Sequence, residues 1–267
     1  MMKKIRVDIM VAEQGLAESR AQAQRLIMAG MVLVNGDVAL KPSATYMSDV
    51  SIVLKEKPRF VSRGGDKLLP ALQKFNQENL TNMVCVDVGA STGGFTDCML
   101  QHGALRVYSI DVGYGILHWK LRNDERVIVM ERTNARYLTG LPEPVNLVTV
   151  DASFISLKVL LPVIKEWYPE EGGSAIVLIK PQFEAGRKEA ARGEGVIRDP
   201  QIHRRVILDV LRFAESQGYS ITDLIRSPLQ GPKGNIEFLA NLVRSKDMLG
   251  EDINGLIEKQ NLPNGSG

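Results

Sequence analysis

From Val84 onward, short apolar runs alternate with longer stretches of helical period. The runs at 84–88, 106–111, 127–130, 145–151, 175–180, 222–227 and 237–243 have the length and β-branched content of strands. Helical stretches separate the earlier runs, with others at 157–165 and 200–217. This alternation predicts a mostly parallel sheet. A short Gly/Pro-rich loop separates the last two runs, which predicts an antiparallel pair. The first 58 residues have a different rhythm. Residues 6–14 read as a short helix stopped at Gly15. Ser19 caps a second helix, and Gln22 completes a capping box. Ala23, Leu26 and Ile27 form its apolar stripe, and Gly30 fits its end. Val32-Leu33-Val34, Asn35-Gly36 and Val38-Ala39-Leu40 predict a hairpin with a tight primed turn, and residues 51–54 one further strand. The pattern divides the chain into a small α+β domain at 1–58, a linker at 59–66 broken by Gly64-Gly65, an α/β domain at 67–245 and a loosely held polar tail at 246–267.

Composition adds little to this division, but charge placement does. At 44% hydrophobic and 24% charged, the 267 residues suit a soluble globular protein. No run approaches the roughly 18 apolar residues of a membrane span. The opening Met-Met-Lys-Lys-Ile-Arg-Val-Asp lacks the apolar core of an export signal. A cytoplasmic protein without membrane contact is therefore expected. Cys85 and Cys98 form no CxxC pair, so buried reduced thiols are expected and no metal site. Net charge is +2. Residues 1–67 carry 11 Lys+Arg against 7 Asp+Glu, whereas the remaining 200 carry 22 against 24. The whole basic surplus lies in the first quarter, which points to a polyanion contact there.

The segment VCVDVGASTGGFTDCML places a glycine-rich turn between a buried strand and a helix. Such a turn lets backbone approach a ligand closely and offers N–H donors at the helix start. It is neither G-x-G-x-x-G nor a G-K-[ST] phosphate loop. Asp87, before the first glycine, would repel pyrophosphate but suits the ammonium and sulfonium of S-adenosylmethionine. The candidate cofactor residues are Asp87, Gly89, Ala90, Ser91, Thr92, Gly93, Gly94 and Phe95. Asp111, ending the second strand, is placed to accept both ribose hydroxyls of an adenosine, and Asn134 is expected near the adenine.

Asp151 ends the fourth strand in VDASFIS, and Lys180 ends the fifth in LIKPQFE. Carboxyl ends of strands line the crevice of an open α/β sheet, so both should face the cofactor site. Glu237 begins the last strand in GNIEFL, and Lys67 precedes the first helix of the α/β domain in SRGGDKL. The loop EAGRKEAARGEGVIRD, carrying Arg187, Lys188, Arg192 and Arg198, reads equally as a substrate lid or as a solvated charged loop.

Two resemblances join these readings. GLAESRAQAQRLIMAGMVLVNGDVALKP resembles the αL RNA-binding motif named from a small-subunit ribosomal protein. That likeness implies that Arg6, Ser19, Arg20, Arg25 and Lys41 contact folded RNA. The order Lys67, Asp151, Lys180, Glu237 resembles the catalytic tetrad of FtsJ-type ribose 2′-O-methyltransferases. With the RNA-binding module in front, residues 5–245 resemble the TlyA family, whose members are also labelled haemolysin A. The resemblance implies a class I, Rossmann-like methyltransferase fold with a seven-stranded, mostly parallel sheet and the last strand reversed. It also implies methyl transfer from S-adenosylmethionine to a ribose 2′-hydroxyl, a cytidine of ribosomal RNA, with rRNA or ribosomal subunits as partners. Lys180 is then the central group, with Asp151 and Glu237 as its neighbours, acting either as base or as positioner of the hydroxyl. The alternatives are a membrane-active haemolysin, for which the sequence offers no spanning or long amphipathic segment, and a non-catalytic RNA-binding or ribosome-assembly protein.

Overall fold

The computed structural model describes residues 4–55, 58–186, 189, 193–245 and 249–262. The chain divides between Pro58 and Arg59 into two compact units.

In the first unit, β1 (Lys4–Arg6) runs into α1 (Val7–Glu13), followed by α2 (Arg20–Met28). The Ser19 side chain accepts from Gln22 N at 3.2 Å, and the Gln22 side chain accepts from Glu18 N at 2.7 Å. The box therefore closes one residue earlier than the standard pattern. Gly30 at φ +69° ends α2 in a Schellman turn: its N–H bonds Ile27 O, and Met31 N–H bonds Leu26 O. The strands β2 (Val32–Val34) and β3 (Asp37–Val38) flank Asn35 and Gly36, both at positive φ as a primed turn requires. Two further strands complete the unit, β4 (Thr45–Met47), which pairs with β1, and β5 (Ile52–Leu54), which pairs with β2. The β1–β4 ribbon goes beyond the sequence-based expectation: three-residue edge strands are too short to show a period. Val7, Val11, Ala23, Ile27, Val32 and Ala39 form the buried centre.

The second unit opens with α3 (Gly64–Lys74). Its sheet contains β6 (Val84–Val88), β7 (Arg106–Ile110), β8 (Val127–Met130), β9 (Leu147–Val150), β10 (Gly173–Ile179), β11 (Ser220–Arg226) and β12 (Phe238–Arg244). The order is β11-β12-β10-β9-β6-β7-β8, and β12 runs antiparallel to both neighbours. This is the expected doubly wound sheet with a reversed strand. Side-chain alternation sends Val84, Val86 and Val88 to one face and Cys85 to the other. The first face is covered by α6 (Leu157–Ile164) and α8 (Pro200–Ser216), the second by α3 and α4 (Gly94–Gln101). Between these helices in chain order come the short turns α5 (Trp119–Arg122) and α7 (Pro181–Glu184). Cys85 and Cys98 are buried and unbridged.

Two sequence readings need correction. Residues 59–66 are not a flexible join. Phe60 is buried, Val61 N–H donates to Asp97 Oδ2 at 2.8 Å, and Gly64-Gly65 open α3 instead of breaking the chain. The glycines serve close packing. A Cβ on Gly94 would lie 2.7 Å from Gly65 N and 2.8 Å from Gly64 Cα, so the starts of α3 and α4 touch backbone to backbone. Lys67 consequently sits within the first turns of α3 and not before it. Second, the polar tail contains α9 (Ile253–Glu258), capped by Asp252, whose side chain accepts from Asn254 N and Gly255 N. Ile253, Leu256 and Ile257 lie at i, i+3 and i+4 and enter the core beside α8 and β11. A one-turn stripe was too short to stand out among polar neighbours. Residues 246–248 and 263–267 of that tail, and Arg187, Lys188 and Arg192 of the loop after α7, lie outside the described residues.

This packing predicts that Leu256→Ala destabilises the protein by about 2–4 kcal/mol, as for other buried leucines. A solvated tail would give less than about 0.5 kcal/mol. Urea unfolding monitored by circular dichroism distinguishes the two.

Candidate active site

Four consecutive inner strands deliver polar groups to one edge of the sheet. After β6, the chain turns at Gly89, φ +85°, where a Cβ would come 2.8 Å from Asp151 O. Only glycine lets the loops after β6 and β9 approach this closely. Asp111, after β7, accepts from Ser91 N at 2.8 Å through one oxygen and from Gly113 N at 2.7 Å through the other. Its carboxylate is thereby fixed, with lone pairs left for a ligand. Asp111, Thr133, Asn134 and Ser153, together with Val88, Ile110 and Leu160, line a cavity of about 440 Å³. The neighbouring cavity, about 530 Å³, is lined by Lys67, Asp87, Thr92, Phe95, Gln230 and Lys233 among others; it is termed the first cavity, and the one at Asp111 the second. Gly89, Ser91 and Asp151 belong to both, so the cavities adjoin there.

Asp87 carries the distinctive electrostatics. Its Oδ2 accepts from Thr96 N at 2.9 Å and Thr96 Oγ1 at 2.7 Å, whereas its buried Oδ1 has no partner among the described residues. Burial pushes its carboxyl up to about 7, the Thr96 bonds oppose this, and the nearby Asp151 and Asp111 charges reinforce it. An orphan carboxylate oxygen on a cavity wall is complementary to a cation. The donor set and the mixed apolar and polar second cavity thus fit the adenosyl, ribose and ammonium groups of S-adenosylmethionine.

The four basic and acidic candidates form two ion pairs. Lys180 Nζ lies 2.6 Å from Asp151 Oδ1 and also donates to Ser153 Oγ at 3.1 Å and Asp151 O at 3.3 Å. Lys67 Nζ donates to Glu237 Oε2 at 2.7 Å. Glu237 is almost wholly buried, and its other oxygen accepts from Gln182 Nε2 at 3.1 Å. The expectation that Glu237 neighbours Lys180 is therefore refined: its hydrogen bonds go to Lys67 and Gln182. A Cβ on Gly231 would overlap its carboxylate, so the loop before β12 closes over this pair.

A family model described as FtsJ-like methyltransferase matches residues 60–244, and one described as S4 domain matches residues 5–46. The chain belongs to the FtsJ-like methyltransferase family. The methyl donor is S-adenosylmethionine. The 16S/23S rRNA (cytidine-2′-O)-methyltransferase TlyA of Mycobacterium tuberculosis is 45% identical over 243 residues, covering 89% of each chain. A Bacillus subtilis protein provisionally named rRNA methyltransferase YqxC is 46% identical over 247 residues, covering 90% of this chain and 86% of its own. A solved structure from Streptococcus thermophilus, provisionally called a hemolysin, is 43% identical with a TM-score of 0.72, covering 97% of this chain and 96% of that one.

Of the loop residues singled out in this FtsJ-like enzyme, Asp87, Gly89, Ala90, Ser91, Thr92, Gly94 and Phe95 line the first cavity. Gly93 does not: at φ +94° its Cα faces Leu117 and Leu121, so it serves packing at the start of α4. Asn134 lines the second cavity while capping a 3₁₀ turn at Arg136 N. In the first unit, Ser19 is occupied as a helix cap, and Arg20, Arg25 and Lys41 are exposed. Arg198 is exposed next to Ile197, whose N–H bonds Asn235. Sequence reasoning missed Ser153 and Gln182. Both lie within three residues of a singled-out strand end, and that proximity was their only signal.

The Lys67–Glu237 pair yields a stability prediction. Lys67→Met strands a buried carboxylate and should cost about 3–5 kcal/mol. Adding Glu237→Leu should recover most of that loss, since the uncompensated charge is then gone. Chemical denaturation of both variants tests the cycle, and an equally unstable double variant contradicts it.

Proposed function

We propose that this protein transfers a methyl group from S-adenosylmethionine to a ribose 2′-hydroxyl of ribosomal RNA, a cytidine, with its first unit holding the RNA. The observation carrying this reading is the convergence of Lys67, Asp151, Lys180 and Glu237 as two ion pairs beside the orphan oxygen of Asp87. In this reading Asp111 receives the ribose hydroxyls of the donor, Asn134 lies by its adenine, and Asp87 faces its ammonium group. When bound, S-adenosylmethionine supplies a methyl group already activated by a sulfonium sulfur. What remains for the protein is to align the hydroxyl and manage one proton.

Lys180 has three acceptors for the three N–H donors of an ammonium. That accounting favours a charged Lys180 that positions the hydroxyl and stabilises its developing negative charge, while the methyl–oxygen bond forms, the methyl–sulfur bond breaks and the hydroxyl proton passes to solvent. To do so it exchanges the bond to Ser153 for one to the substrate oxygen and keeps the shorter bond to Asp151. Lys67, lining the first cavity, adds a second positive charge whose direction Glu237 fixes. Among the described residues no helix is long and apolar enough to cross a membrane.

Lys180→Ala should lower the single-turnover methylation rate by about 10²–10³-fold, as for loss of one transition-state donor, with donor and RNA dissociation constants within about twofold. Mass-spectrometric mapping of ribose methylation on rRNA reads the product. Retention of more than half the wild-type rate would sink the assignment.

A pH prediction follows from Asp87. Its pKa in the ligand-free protein, about 7, exceeds that of an unfolded aspartate, so the native state holds a proton that the unfolded state has released. Stability of the ligand-free protein should fall as pH rises through about 7. A cation requires the ionised form, so affinity for S-adenosylmethionine should rise over the same window, by at most about tenfold per pH unit below it. Calorimetry in buffers of different ionisation enthalpy should detect proton release near pH 6. Asp87→Asn should abolish that release.

A further inference from the structure

Buried charge also organises the first unit, in a way that the RNA-binding reading leaves unexplained. Asp8 lies in the first turn of α1 with its side chain fully inaccessible. Arg6, at the end of β1, grips both carboxylate oxygens, from Nε to Oδ1 at 3.0 Å and from Nη2 to Oδ2 at 2.9 Å. Arg20 Nε, from the start of α2, reaches Oδ2 at 3.0 Å, and Gln24 Nε2, one turn later, reaches the same oxygen at 2.8 Å. Four donors from two elements, β1 and α2, thus converge on one carboxylate. The bonds from Arg6, outweighing burial, hold its carboxyl well below the usual aspartate range. Asp8 therefore stays ionised under any physiological condition.

The two arginines are not consumed by this contact. Their side chains remain 38% and 51% exposed, and a guanidinium has five N–H donors in a rigid fork. Arg6 spends two of its groups on Asp8, and Arg20 spends only Nε. Without the intervening carboxylate, two guanidinium groups would repel each other and move apart as independent side chains. With it, they are held side by side on one oxygen, with their outer edges toward solvent and the negative charge sealed behind them. The assembly carries a net charge of one positive unit and presents a double fork. That is the complement of a phosphodiester, which has one negative charge and two unesterified oxygens.

We propose that Asp8 is a positioning residue that locks Arg6 and Arg20 into a receptor for one RNA backbone phosphate, an inference that rests on the RNA-binding reading of this unit. The clamp fixes where the RNA backbone crosses the unit. Arg25 and Lys41, which have no such holder among the described residues, supply only unlocalised positive charge.

The sign of one substitution separates this role from its rivals. Asp8→Asn keeps the shape of the side chain and adds one positive charge to the unit. If Asp8 is merely an acid near an RNA surface, the variant binds RNA more tightly. If Asp8 positions the arginines, it binds more weakly despite the added charge. The measurement is binding of full-length protein to unmodified, in-vitro-transcribed ribosomal RNA over a salt series. Asp8→Asn should weaken affinity about tenfold and make the slope of log K against log[salt] shallower by about one phosphate's worth. The dissociation constant for S-adenosylmethionine should stay within twofold. Arg20→Lys retains charge but lacks the Nε donor and the fork, so it should lose a similar amount. It also decides the matter if Asp8→Asn fails to fold. Unchanged or tighter RNA binding by a folded Asp8→Asn, or wild-type affinity in Arg20→Lys, overturns the clamp. Wild-type protein that binds no RNA overturns the reading of the whole unit, while cofactor binding still reports on the methyltransferase unit separately.

Discussion

A buried glutamate must have a cation beside it, and that requirement ties the catalytic unit together. Glu237 lies at the start of β12, and its partner Lys67 lies on α3, 170 residues earlier in the chain. An uncompensated carboxylate at this depth would cost several kcal/mol. The pair therefore anchors the first turns of α3 at the catalytic edge of the sheet. The backbone contact of Gly94 with Gly64 and Gly65 makes this geometrically possible. The buried segment from Phe60, held by Asp97, follows from the same placement. One ion pair and one close glycine contact thus turn what reads as a joint into a wall of the candidate active-site cavity.

The same edge concentrates acids. Asp87, Asp111 and Asp151 follow or end three neighbouring strands of the parallel sheet, because each crossover returns the chain to the same edge. Their mutual repulsion adds to the burial of Asp87 in raising its carboxyl. Lys180 answers Asp151. Backbone N–H groups of Ser91 and Gly113 answer Asp111. The second oxygen of Asp87 is left without an answer among the described residues. A ligand bearing an ammonium group relieves a stress that the fold itself creates, which is a physical reason for a methyl donor with an amino-acid moiety to bind here.

How much of this was legible beforehand depended on the range of the interaction responsible. Strand ends are local: an apolar run followed by Asp or Lys shows Asp111, Asp151 and Lys180 directly, and sheet geometry then brings them together. The pairing of Glu237 with Lys67 is long-range and carries no periodic signature, so Lys180 looked like the natural partner. Gly64-Gly65 and Gly93 read as turn or ligand glycines, because a sequence shows the missing Cβ but not the neighbour that occupies its place. The helix at Ile253 escaped because its stripe is three residues long, and its stability comes from the core it enters and not from its own period.

Buried acids in this chain fall into two kinds, and the difference separates holding from binding. Asp8 has four donors, Asp97 receives Val61 N–H, Gln101 and Lys120, and Glu237 receives Lys67 and Gln182. Each is answered wholly by the protein, and each fixes the direction of a cation or a stretch of backbone. Asp87 is answered on one oxygen only among the described residues, and burial pushes its carboxyl up, whereas the Arg6 bonds hold that of Asp8 down. A protein folding for stability alone would supply the missing donor, because a neutral neighbour with an N–H at that spot costs little. Leaving it unsupplied makes Asp87 hold its proton to higher pH than an ordinary aspartate, and in the proposed reading a cationic ligand displaces that proton. The unmet hydrogen bond, and not the number of charges, marks which carboxylate waits for a ligand.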